Sequence, residues 1–225
     1  HVDGESLGTG IATAVVDASV EECAANQVVD FDSKKALKRK NGVTRRIKEE
    51  INTHSAYQIT TREPGYFLKP RETRTKVTWM KEDNKAVIAC TDAKEMIEKY
   101  PVNDGNILLS AHTVWVFEHF DTIGEIPQTV VTFTTRVDAG GNIPTIAANY
   151  NAKRFLSTVS DLRKKFDKTR KIDAYNRFQI IKKMTKITKK SAKTFAKDFK
   201  DINEKEKVEG AYPLAETWLK VKGKG

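Results

Sequence analysis

The most informative segment of the chain is QTVVTFTTRVDAGGNIPTIAANYNAKRFLSTVSDLRKKF, residues 128–166, because it predicts a strand, a tight turn and one long helix. Alternate residues of its first part share one face of the strand: Val131, Phe133, Thr135 and Val137. Gly140 and Gly141 allow positive φ in the turn, and Pro144 suits the first turn of a helix. Apolar residues then recur at spacings of three and four: Ala148, Ala152, Phe155, Val159, Leu162 and Phe166. A helix with such a stripe must bury it against the sheet that precedes it.

Upstream of this stretch the chain predicts further strands joined by short turns, at 10–19, 43–62, 70–80, 86–91 and 107–120. Ser19 and Glu22 form a capping box for a helix after the first strand. Residues 121–128 are expected to be a loop, and 120–128 a candidate lid. Short connections favour antiparallel pairing, and no βαβ alternation is present. We therefore expect an α+β helix-grip fold, a curved antiparallel β-sheet wrapped around a long C-terminal α-helix, with a helical C-terminal extension.

Composition bounds the class of protein. A chain of 225 residues with 39% hydrophobic content allows one large domain with a real core, or one domain plus an extension. No stretch approaches the ~18 uncharged apolar residues of a membrane span. The two cysteines, Cys23 and Cys90, have no metal-site spacing, so free thiols in a reducing, cytoplasmic compartment are expected.

The positive charge is concentrated at the C-terminus. Residues 169–225 hold 16 Lys and Arg against 7 Asp and Glu, whereas the remainder is almost neutral. We therefore divide the chain into a domain at 1–173 and a basic, amphipathic helical extension at 174–225. The extension is expected to be a solvated helix packed on the domain or a helix lying on anionic lipid, with nucleic acid the weakest alternative. Its membrane-contact candidates are Lys182, Lys183, Lys186, Lys189, Lys190 and Lys193.

Three segments resemble the START (StAR-related lipid-transfer) domain family of the helix-grip superfamily. They are VDASVEECAA (16–25), PRETRTKVTW (70–79) and VDAGGNIPTIAANYNAKRFLSTVSDLRKKF (137–166), and the likeness runs from about Gly10 to about Asp173. The third segment is the most specific, since it combines turn chemistry with helix periodicity. The resemblance implies a hydrophobic tunnel between the sheet and the last helix that holds one lipid or sterol-sized molecule. It also implies transfer, sensing or presentation of that ligand without catalysis.

The predicted ligand site combines inward strand faces with the facing helix. Its candidates are Arg71, Thr73, Trp79, Trp115, Phe117, Phe133, Thr135, Ala152 and Phe155. Arg71 shares a strand face with Trp79, so it is expected either to bind an anionic head group or to be an edge arginine paired with Glu72 or Asp138. In the first case Arg71→Leu reduces ligand loading and leaves the fold intact. If the apolar candidates do not line a pocket, they are ordinary core residues. The threonines are then present because they favour β-strands.

No cofactor, metal site or nucleic-acid partner is expected, because the histidines form no metal set and no phosphate loop or catalytic triad is present. The alternative function is a non-enzymatic protein-interaction or regulatory module of a larger protein, with a filled core. An enzyme on the same fold, such as a cyclase, ranks third. An open cavity lined mainly by carbon atoms favours the carrier, and a filled core favours the interaction module. Several inward ionisable groups with perturbed pKa values would favour the enzyme.

Overall fold

A computed structural model describes residues 7–30, 43–64, 68–141 and 145–185. The chain divides into two compact units, residues 1–172 and 173–225, and each is described by itself. The strands are β1 (Leu7–Val16), β2 (Val43–Asn52), β3 (Ser55–Arg62), β4 (Arg71–Glu82), β5 (Lys85–Asp92), β6 (Ile107–Leu108), β7 (Ser110–Ile123) and β8 (Ile126–Asp138). The helices are α1 (Val20–Asp30), α2 (Met96–Lys99), α3 (Thr145–Lys165) and α4 (Thr169–Thr185).

The strands form one curved sheet in the order β1-β8-β7-β5-β4-β3-β2, antiparallel throughout, and the short β6 pairs parallel with β4. This confirms the α+β helix-grip prediction. The segment 43–62 contains two strands that pair with each other. The expected alternation on β8 is also present, because Val131, Phe133 and Thr135 are all buried.

The predicted loop and lid at 120–128 are wrong. β7 and β8 continue through this segment as a hairpin, with Thr122 opposite Pro127 and Ile123 opposite Ile126. Gly124 has φ 66° and makes the tight turn possible, because glycine adopts positive φ without a steric penalty. The paired backbone leaves no loop to serve as a lid.

The capping box predicted at the start of α1 is present. The Ser19 amide donates to Glu22 Oε2 over 3.1 Å, and the Glu22 amide donates to Ser19 Oγ over 3.2 Å. These bonds satisfy amides that have no partner inside the helix. α1 packs on β5 and β7, where Val20 and Cys23 join the core of the domain. Burial raises the pKa of the Cys23 thiol to about 12, so this thiol stays protonated.

α3 packs its buried side on β1 and β8, as the stripe predicted. Val159 and Leu162 are each 2% exposed. Leu156, which the predicted stripe omitted, approaches the backbone at Gly10 so closely that a Cβ there would lie 3.1 Å from its Cδ2. Ala152, by contrast, is exposed on the helix. The stripe is therefore rotated slightly from the one inferred from spacing.

An ion pair is fully enclosed on the outer face of β4. Arg74 donates to Glu72 over 2.6 Å, and the two side chains are 1% and 0% exposed. Arg74 also donates to the carbonyls of Tyr100 and Pro101, while Glu72 accepts from Asn103 and, in a further short hydrogen bond, from Asn106. The pair thus ties the 100–106 connection onto β4, because every bond removed would leave a buried charge or amide unsatisfied.

The amphipathic character predicted for the extension at 174–225 stays a prediction, because only its part within α4 is described. In α4 the apolar side chains are spread around the helix, and several are exposed: Tyr175, Phe178, Ile180, Ile181 and Met184. Lys182 and Lys183 are exposed as expected, whereas Lys186, Lys189, Lys190 and Lys193 lie outside the described residues. Among the described helices, none is both long and apolar enough to cross a membrane.

We expect Glu72→Gln to destabilise the domain by about 3–5 kcal/mol at pH 7, because it leaves the Arg74 guanidinium buried without a counter-charge. Burial alone would raise the pKa of Glu72, but hydrogen bonds from Arg74, Asn106 and Asn103 outweigh it and hold the pKa below its ordinary value of 4.5. The stabilisation is therefore complete above pH 4.5 and is lost as the pH falls further. Urea unfolding between pH 7 and pH 3 measures both effects.

Glu118→Gln is the matched control for this prediction, because Glu118 pairs with Lys85 in an exposed ion pair. We expect the control to lose less than about 1 kcal/mol and to keep the acid sensitivity of the wild type. If Glu72→Gln keeps the acid sensitivity of the wild type, protonation of Glu72 is not the cause of the loss of stability at low pH.

Candidate functional site

The candidate site is an open cleft of about 230 Å³ on the inner, concave side of the sheet. Strands β4, β5 and β7 form its floor, the β2–β3 hairpin one wall and the C-terminal half of α1 the other. The lining residues are Gln27, Val28, Lys48, Glu50, Asn52, Thr53, His54, Ser55, Ala56, Gln58, Val77, Trp79, Ile88, Cys90, Thr113 and Trp115. A second hollow, of about 110 Å³ beside Arg74, is too small for a lipid-sized molecule.

Two tryptophans from different strands meet in the floor of the cleft. Strand register places Trp79 opposite Ile88, and Ile88 opposite Trp115, so the three side chains form one row across the sheet. His54 from the β2–β3 turn packs edge-on against Trp79, with ring centroids 4.3 Å apart. The row presents a wide apolar surface to the open space.

Four other residues predicted for the site lie near this floor but do not line the cleft. Phe117 and Phe133 are 0% and 4% exposed and pack on Trp115, with centroid separations of 6.0 and 4.3 Å. Thr135 is also buried, and its hydroxyl has no hydrogen-bond partner among the described residues. Thr73 is half-buried on the same face of β4. None of these four lines the cleft, and the exposed Ala152 does not either.

The wall of the cleft is more polar than the sequence suggested. Lys48, Glu50 and Gln58 line it, because β2 and β3 continue the inner face with period two. These positions were not predicted, although the alternation within 43–62 was the signal that could have found them. Cys90 lies in the floor, and burial raises the pKa of its thiol, which therefore stays protonated.

Arg71 has a structural role that the sequence did not indicate. It is 6% exposed and donates to the backbone carbonyls of Lys69, Ala139 and Gly140, at 2.5, 3.2 and 3.3 Å. Neither Glu72 nor Asp138 pairs with it within the described residues. With its donors directed at backbone carbonyls, Arg71 holds the turn that leads from β8 toward α3 and does not reach the cleft.

The facing helix contributes Phe155, which is half-buried at the edge of the inner face. The guanidinium of Arg62 lies over its ring, 5.6 Å from the centroid. α3 therefore contacts β1 through Leu156 and the opposite side of the sheet, at β3, through Phe155. Through these two contacts α3 lies across the inner face of the sheet, from β1 to β3.

Comparison with known proteins rests on three-dimensional structure alone. No protein-family model matches the chain, and no curated protein sequence matches it. Solved structures do match. The human StarD13 lipid transfer and protein localization domain aligns with a TM-score of 0.57 and 13% identity, covering 74% of this chain and 80% of that one. The chain has the fold of START domains.

Two further START structures support the same conclusion. Human STARD10 aligns with a TM-score of 0.57 and 15% identity over 81% of this chain and 69% of its own. The STAR-related lipid transfer protein of Xanthomonas axonopodis aligns with a TM-score of 0.56 and 14% identity over 74% of this chain and 89% of the solved fragment. The START resemblance inferred from the sequence is thus confirmed at the level of the fold.

We expect Arg71→Leu to destabilise the domain, in contrast to the fold-neutral change that the sequence suggested, because three partly buried backbone carbonyls lose their donor. A loss of about 2–4 kcal/mol in urea unfolding is the expected result.

Gly140→Ala should weaken the same turn, since Gly140 has φ 60° and an added Cβ would meet Ile107 Cγ2 at 2.8 Å. Gly105→Ala is the control, because Gly105 shares the positive φ but faces open space. Equal losses in the two glycine variants would contradict the steric part of this argument.

Proposed function

We propose that this protein binds a lipid, sterol or similar hydrophobic ligand in the cleft on the inner face of the sheet, and that it carries or senses that ligand. The observation that supports this most directly is the pair of tryptophans, Trp79 and Trp115, facing an open space of about 230 Å³. Apolar side chains beside an unfilled space lack packing partners on one side, and a ligand would supply them. Each 100 Å² of apolar surface that a ligand covers contributes roughly 2.5 kcal/mol.

The size of the cleft limits how the ligand is held. Pockets for small molecules typically enclose roughly 300–1,000 Å³, and this cleft is smaller. It therefore accommodates part of a lipid, such as one acyl segment or a small ring system. A larger ligand requires the α1 wall or the β2–β3 wall to move outward.

A binding role is favoured over the two alternatives. The interaction module was expected to have a filled core, and the open cleft does not fit that expectation. For the enzyme, Cys90 is the thiol in the cleft floor, and its raised pKa makes it a poor nucleophile. The START structures that match are lipid-transfer domains by name, which agrees with a carrier.

Filling the cleft is the sharpest test of this proposal. Thr113→Phe places a ring in the space between the two walls, so a ligand that co-purifies with the wild type should be lost. Thr134→Phe is the control, because Thr134 is exposed on the outer face of the neighbouring strand. Native mass spectrometry with lipid identification after organic extraction measures occupancy, which we expect to fall at least fivefold in Thr113→Phe alone. Absence of any bound species in the wild type, with no uptake from a panel of fluorescent lipids and sterols, overturns the carrier.

We also propose that the basic extension brings the domain to anionic membranes as a peripheral protein inside the cell. Lys182 and Lys183 are exposed on α4, and Lys182 Nζ lies 4.3 Å from the centroid of the Phe178 ring, which pairs charge with an apolar surface. Each basic residue near an anionic surface contributes about 1 kcal/mol.

Vesicle pelleting tests the membrane proposal. Lys182→Glu/Lys183→Glu should reduce binding to vesicles containing phosphatidylserine by more than tenfold, because it reverses two charges. Lys94→Glu, at an exposed position of the sheet domain, serves as the control. Equal binding of the wild type to phosphatidylserine and to pure phosphatidylcholine vesicles would contradict an electrostatic role.

A further inference from the structure

The inner face of the sheet continues beyond the cleft along β2 and β3. Ala56 and Gln58 line the cleft, and the same alternation places Arg62 farther along this face. On β2, Arg46 pairs in register with Thr60, the residue two positions before Arg62. Arg46 and Arg62 therefore share the inner face as diagonal neighbours.

The helix adds a third guanidinium to this region. Phe155 lies under Arg62, and Arg154 precedes Phe155 in α3. Arg71 stands directly opposite Arg62 in the β3–β4 register, but its donors are directed away, at the backbone carbonyls of Lys69, Ala139 and Gly140. Three arginines, Arg46, Arg62 and Arg154, thus lie close enough to interact where α3 faces β3.

No counter-charge for Arg62 is found in the described parts of the chain, where none of the ion pairs involves it. Burial lowers the pKa of Arg62, and the positive charges of Arg154 and Arg46 lower it further. The guanidinium nevertheless stays protonated at neutral pH. Arg46 and Arg154 have further contacts of their own, so the inference rests on Arg62.

We propose that Arg62 is the centre of an anion-binding subsite, which we call the arginine subsite (Arg46, Arg62 and Arg154), and that the ligand is an amphiphile with a carboxylate or phosphate head. A guanidinium presents paired N–H donors that match either group. The head group would supply the counter-charge that Arg62 lacks among the described residues, and it would hold α3 to β3.

The dimensions of the inner face agree with such a ligand. Arg62 lies six positions after Ala56, which is beside the tryptophan floor, and at about 3.3 Å per step this is roughly 20 Å. An extended acyl chain of about sixteen carbons spans a similar length. The end of the tail would lie in the cleft over Trp79, the rest of the tail along the inner face of β3, and the head at Arg62. This inference rests on the proposed function, because it names the class of ligand for the same inner face.

A set of amphiphiles with one tail and different heads tests the proposal on the full chain. Hexadecanoate, hexadecyl phosphate and hexadecanol are titrated below their micelle concentrations, with tryptophan fluorescence as the readout. We expect at least one anion to bind tenfold more tightly than hexadecanol, and the preferred anion distinguishes a fatty-acid head from a phosphate head. Inorganic phosphate alone is included to show whether the head group suffices.

Charge variants assign the preference to the subsite. Arg62→Gln should reduce the preference for the anion to less than twofold and leave hexadecanol binding unchanged, whereas Arg62→Lys should retain most of it. Lys153→Gln, an exposed neighbour on α3, is the control and should change nothing. If Arg62→Gln does not fold, as judged by circular dichroism, Arg154→Gln reports on the same subsite with an expected loss of at least threefold.

The outcomes separate the two proposals. Equal binding of hexadecanol and both anions overturns the arginine subsite and leaves the hydrophobic carrier standing. An anion preference that survives both Arg62→Gln and Arg154→Gln places the anion elsewhere and also overturns the subsite. Failure of all three amphiphiles to bind, together with no co-purifying lipid, overturns the carrier and the subsite together.

Discussion

The buried pair of Glu72 and Arg74 on the outer face of β4 fixes the 100–106 connection against the sheet. Two charges that are almost fully enclosed require every donor and acceptor to be met, and the 100–106 connection supplies those partners. Arg71, on the opposite face of the same strand, holds the turn at Gly140. A single strand thus holds the 100–106 connection on one face and the turn that leads to α3 on the other.

The part of the fold that the sequence predicts depends on what the alternation of side chains along a strand can indicate. Period two identified which residues share a face, so Val131, Phe133 and Thr135 were correctly grouped, and the Ser19–Glu22 capping box was a purely local signal. Alternation does not say what covers a face. The outer cover over Glu72 comes from a connection about 30 residues downstream, so the burial of that carboxylate was invisible in the strand itself.

The candidate site shows the same division between local and tertiary information. Trp79 and Trp115 were both predicted for the site, but their meeting depends on the register of β5 between them, which no local pattern specifies. Arg71 was predicted for the site because it shares a strand face with Trp79. In the structure its guanidinium instead binds the backbone of the turn at Ala139 and Gly140. Arg62 was overlooked, because its importance comes from the helix that faces it.

One consequence of the sheet order concerns how the chain reaches its folded state. Among the described strands β1 pairs only with β8, and residues in register such as Thr13 and Thr132 are 119 positions apart. During synthesis the first strand must therefore wait until almost the whole domain has left the ribosome before it finds its partner. Such non-local pairing makes folding slow, and until β8 is available it leaves β1 unpaired, with Val16, which is fully buried in the folded domain, exposed. The same sheet order thus makes the nascent chain dependent on protection of β1 until β8 is available.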